Sequence, residues 1–88
     1  MTAGDGFRFI ERAQAAFSLG NFRQAEKEVQ KHLTLNPEDV DSISLLAACC
    51  FNLVRFQEAQ ELAGRAISLC PQSAYAHYVL AAACLAQG

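Results

Sequence analysis

Apolar and polar positions alternate along this chain with the period of a helix, and nowhere with the period of a strand. The spacing predicts helices over 6–19, 22–35, 40–53, 56–69 and 74–87. No segment alternates every second residue or gathers β-branched side chains, so no strand is predicted. Punctuation falls between these stretches. Gly20 suits the left-handed residue that ends a helix, and Asn21 with Gln24 reads as an N-cap and its capping-box partner. Pro37 and Pro71 stop helices, while Asp39 and Ser73 are suited to starting the next ones.

The stretch LGNFRQA at 19–25 returns as LVRFQEA at 53–59, a shift of 34 residues. The same shift carries Ala13 onto Ala47, Phe17 onto Phe51, Phe22 onto Phe56, Ala25 onto Ala59, Leu35 onto Leu69 and Pro37 onto Pro71. A second shift carries Leu46, Ala47, Ala48 and Cys50 onto Leu80, Ala81, Ala82 and Cys84. A register held through both helices of the unit and over two steps marks an internal repeat.

These residues resemble the tetratricopeptide repeat. The match runs through Ala13, Gly20, Phe22, Ala25, Leu33, Leu35 and Pro37 in the first unit. It continues through Ala47, Phe56, Ala59, Ala66, Ile67, Leu69 and Pro71, then Leu80, Ala81 and Gly88. The resemblance implies an all-α fold, a right-handed α-α superhelix (solenoid) of about two and a half helix-turn-helix units built from five helices. One domain over 1–88 is expected, with units 6–39 and 40–73 and a half unit 74–88, as a piece of a longer protein. Alanines at 13, 25, 47, 59 and 81 would let helices approach to ~8–10 Å, and Phe22 and Phe56 would wedge between them. Two positions depart from the pattern. Val54 replaces the turn glycine, where a β-branched residue sits poorly at positive φ. His32 stands where a small residue is usual, and its charged neighbours suggest a ring tilted toward water.

In such arrays the first helix of each unit forms the inner wall. Carried over residue by residue, that wall is Phe7, Ile10, Gln14 and Phe17, then Asp41, Ser44, Leu45, Ala48, Phe51 and Asn52, then Tyr75, Tyr78, Val79, Ala82 and Leu85. It holds no lysine or arginine, so the grip on a terminal carboxylate known in this family, as for chaperone tails, is not expected. An apolar, aromatic groove suits an amphipathic or hydrophobic segment of another protein. The alternative is homodimerisation through the same wall and the last helix, because AYAHYVLAAACLA at 74–86 carries no charge and a helix apolar all round is normally covered.

Composition narrows the remaining chemistry. The chain has 88 residues, 18% charged and 52% hydrophobic, with net charge −2, which gives no reason to expect nucleic acid or an anionic membrane. Its apolar runs fall short of the ~20 residues needed to span a bilayer. Cys49, Cys50, Cys70 and Cys84 lie in apolar runs without a C-x-x-C pair and read as reduced, buried small residues, in keeping with a cytoplasmic setting. Cys50 and Cys84 lie one unit apart, too far for one zinc ion at ~2.3 Å per thiolate. No nucleophile, base and acid converge, and no glycine loop cradles phosphate, so neither a cofactor nor an enzymatic role is expected. Arg23, Lys27 and Lys31 line one side of the second helix with Glu26 and Glu28 between them, which reads as a solvated face. Glu61 and Arg65 read as a simple i,i+4 pair.

Overall fold

The computed structural model describes the backbone of residues 3–88 and the side chains of residues 8–88. Five helices follow one another: α1 (Ala3–Ser18), α2 (Phe22–Leu35), α3 (Val40–Asn52), α4 (Phe56–Leu69) and α5 (Ala74–Gln87). No strand occurs among the described residues. The spans of α2, α4 and α5 coincide with those predicted. Helix α1 starts three residues early, through a Gly-Asp-Gly stretch that offers no apolar period to read.

Each unit turns in the same way. Asn21 N–H donates to Ala16 O at 2.8 Å and Gly20 N–H to Phe17 O at 3.0 Å, with Gly20 at φ +80°. One unit later Arg55 N–H donates to Cys50 O at 2.9 Å and Val54 N–H to Phe51 O at 3.1 Å. Both turns pair the last carbonyls of a helix with the two residues beyond it, around one left-handed residue. In the second turn that residue is Val54, at φ +66°. Its Cβ crowds the carbonyl in this region, so the valine holds the strain anticipated for it. Val54→Gly is expected to raise stability by about 0.5–1 kcal/mol, the relief of that strain less the entropy cost of glycine. Chemical denaturation of the two chains side by side measures it.

The caps differ from expectation at Asn21. Its backbone leaves the turn at φ −90°, ψ 73°, away from the extended geometry a cap needs, and its side chain makes no cap bond. Gln24 Nε2 donates instead to Glu28 Oε2 at 2.8 Å. Ser73 is extended at φ −67°, ψ 104°, and its Oγ accepts from Ala76 N–H at 3.2 Å, as a cap should.

Small residues set the packing. Helices α3 and α4 run antiparallel with Ile43 against Ala66, Ala47 against Ala63 and Cys50 against Ala59, all buried. In the first unit Ala13 meets Val29 and Ala16 meets Ala25. The other side of α4 is covered by Ala76, Val79 and Ala83 of α5. The helices therefore stack in chain order into a slab with principal extents of 42 × 27 × 17 Å. The aromatic wedges repeat as well: Phe17 and Phe22 meet edge-on at 5.1 Å, and Phe51 and Phe56 tilt together at 5.4 Å.

Four expectations are corrected. Ala81 is exposed, because the residues that cover its equivalents Ala13 and Ala47 belong to the helix that follows in the same unit, and among the described residues no helix follows α5. For the same reason Cys84 is exposed although Cys50 is buried, and Cys70, at the end of α4, is only half-buried. His32 does not tilt toward water. It is equivalent to the buried Ala66, and the packing face of α2 holds it at 7% exposure. Asp39 Oδ2, 2.7 Å from His32 Nε2, supplies the polar partner that such burial requires. Glu28 is likewise buried rather than solvated, with Arg12 and Lys31 at 4.0 and 3.9 Å.

Candidate functional site

The inner wall comes from α1, α3 and α5, which present one face each to the same side of the slab. Ile10, Gln14 and Phe17 of α1, Asp41 and Leu45 of α3 and Tyr75 of α5 surround a hollow of about 350 Å³. Phe17 and Tyr75 also border a second hollow of about 270 Å³, completed by Ala48, Phe51, Asn52, Tyr78, Val79 and Ala82. The two hollows share those two rings and form one groove across three helices.

Most of the wall anticipated from sequence is thus brought together. Leu85 is not, since it projects 82% exposed beyond both hollows. Ser44 is fully buried and lines neither hollow. The side chain of Phe7 lies outside the described residues. Ser18 lines the first hollow and was missed; its i+4 spacing from Gln14 was the available signal.

The groove is apolar with a few fixed polar groups. Among the described residues, Asp41 is the charged one lining it. Burial, then the nearby Cys49 and Tyr78, pushes the Tyr75 phenol above its ordinary value, so it stays a hydrogen-bond donor at neutral pH. Asn52 Nδ2 donates to Ala48 O at 2.8 Å, which holds the amide against its own helix. Phe17 and Phe51 are each braced by the ring that follows the turn. Such a surface can bury apolar side chains against pre-set rings without first ordering itself.

Two other polar clusters exist. Ser42 Oγ donates to Asp39 Oδ2 at 2.8 Å, the same oxygen that His32 Nε2 meets. The carboxylate sits between the hydroxyl and the imidazole, so the histidine does not face the serine it would need to activate, and Ser42 is fully buried. The cluster ties the end of α2 to the start of α3. On the opposite side, Arg55 pairs with Glu26 and Glu58 and lies 3.5 Å from Cys50 Sγ. Burial raises the Cys50 thiol and pushes Cys49 up to about 12, so both remain protonated. The expected Glu61–Arg65 pair is replaced by a longer-range bond: Arg65 Nη2 donates to Pro37 O at 2.9 Å, clasping the inter-unit turn. A contact between residues 28 apart leaves no trace in helical spacing.

Paired antiparallel helices in a 34-residue register, small residues at each crossing and rings after each turn define a helical repeat of the tetratricopeptide kind, a class that mediates protein–protein interaction. The chain belongs to the family described as anaphase-promoting complex, cyclosome, subunit 3, whose sequence profile matches residues 19–88. Among individual curated proteins, none matches.

Proposed function

We propose that the chain is an adaptor or scaffold segment that holds a hydrophobic or amphipathic segment of another protein in the groove between α1, α3 and α5. The observation that carries this reading is the pair of joined hollows, rimmed by Phe17, Phe51, Tyr75 and Tyr78 and lacking lysine or arginine. Aromatic anchors in a pre-formed cleft are where binding energy concentrates. The family's name is that of a subunit of a multiprotein complex, which agrees with a scaffold. The role needs no cofactor and no catalytic group. The unbridged cysteines agree with a cytoplasmic setting.

A second reading, homodimerisation through the wall and α5, is favoured by the exposure of Tyr78 at 70% and Leu85 at 82% on an uncharged helix. Phe51→Glu and Tyr78→Glu separate the two. Loss of partner capture with unchanged mass by light scattering supports the groove. Loss of dimer mass supports self-association. Variants that alter neither remove the wall from both accounts.

A further inference from the structure

A separate hollow of about 370 Å³ opens between α2 and α4 and shares no residue with the groove. Its floor is apolar: Leu46 and Cys50 of α3 are buried there, with half-buried Leu62 of α4 beside them. Its rim is polar and exposed, with Gln30 on α2 and Glu58, Glu61 and Arg65 on α4. The cations at hand are already engaged. Arg55 is tied to Glu26 and brings only its Nε to within 3.8 Å of Glu58. Arg65 Nη2 donates to Pro37 O at 2.9 Å. Glu61, one turn from Glu58, takes part in no ion pair among the described residues. Two carboxylates so placed on one helix repel each other unless a cation joins them. Neither lysine of the chain does so: Lys27 and Lys31 do not line the hollow, and Lys31 lies at Glu28.

We propose that this hollow binds the side chain of a lysine presented by another protein, with its stem over Leu46 and Leu62 and its ammonium among Glu58, Glu61 and Gln30. A four-carbon stem matches the apolar floor, while the charged head stays at the wet rim. The ammonium carries three rotatable donors, which can meet separate acceptors. A guanidinium fork fits one carboxylate in its own plane and suits two from neighbouring turns less well. The same carboxylates repel phosphate, so a nucleic acid or an anionic lipid head is a poor occupant. Helices of this chain stack in order, so a further one adds beyond an end of the stack, whereas this hollow sits in the middle, over α3. The lysine therefore comes from a separate protein.

The probe is a single lysine, acetylated on its backbone nitrogen and closed as a methylamide, titrated into the isotope-labelled 88-residue chain and followed by NMR. Backbone amides of Leu46, Glu58, Glu61 and Leu62 are expected to shift together, with a dissociation constant on the order of 1 mM, as suits a ligand this small. Capped norleucine, which keeps the stem, and capped side-chain-acetylated lysine, which loses the charge, are expected to bind at least about tenfold more weakly. Glu61→Gln is expected to weaken the lysine roughly five- to tenfold. It should keep its helical circular dichroism and melting temperature, because the position is exposed and free of ion pairs in the chain alone. Absence of shifts at about 20 mM probe, well past saturation of such a site, overturns the proposal. Shifts confined to Phe17, Tyr75 and Tyr78 overturn it too, since the probe then sits in the groove. Norleucine or capped arginine binding as tightly as lysine overturns the assignment of the ligand. None of these results bears on the groove's own partner, because the two sites share no residue.

Discussion

Ala63→Leu is expected to lower the melting temperature by roughly 5–20 °C, the consequence of about 1–3 kcal/mol of overpacking in a domain of this size. Ala63 is fully buried, with Ala47 and Ala48 on one side and Val79 on the other. Three extra heavy atoms have no void to enter, and both neighbouring helices must move to admit them. The control lies in the same register. Ala81→Leu changes an exposed alanine of α5 and is expected to shift the melting temperature by no more than about 0.5 kcal/mol would. Thermal melts of the two variants test whether packing against neighbouring helices, rather than helix propensity, sets the cost. Equal losses would show that the crossing is not as tight as the structure draws it.

Asp39→Ala is expected to cost about 1–3 kcal/mol at neutral pH, since the buried Ser42 hydroxyl and His32 Nε2 both lose the carboxylate they share. Burial alone pushes the Asp39 pKa up. Hydrogen bonds from Ser42 and His32, with the field of His32, outweigh it and leave the group below its ordinary value. A depressed carboxylate stabilises the fold at pH values above its unfolded pKa. That contribution fades as pH falls through the lower, folded value. The difference between the natural chain and Asp39→Ala should therefore be full at pH 6–7 and shrink below about pH 4, where the unfolded carboxyl begins to take up its proton. Denaturant midpoints collected across that range check it. A difference that stays constant into acid would mean that the charge of Asp39 contributes nothing.

The architecture was legible because its cause is local and repeated. Alanines at 13, 25, 47 and 59, the rings at 22 and 56 and the breaks at 37 and 71 each act within a turn or two, and periodicity reports them twice over. Most of the wall followed from the same register. What escaped depended on contacts between units. The burial of His32 is decided by the face it shares with Ala66 and by a carboxylate seven residues away on the next helix's threshold. The hold of Arg65 on Pro37 joins residues 28 positions apart. Ala81 and Cys84 looked like core because their equivalents are core; exposure depends on what lies opposite, which a residue's own position does not encode. Ser44 and Leu85 were placed on the wall by analogy of register and lie off it, Ser44 fully buried and Leu85 beyond its edge.

The alanines of α4 touch a neighbour on each side, so this one rod is spliced into both of the rods next to it, whereas α5 is glued chiefly along Ala76, Val79 and Ala83. Peeling α5 away breaks its seam with α4 and its smaller contact with α3, and leaves the first four rods zipped together. The third strip of the groove can then lift while the other two stay in place, opening the cleft from one end like a hinged cover.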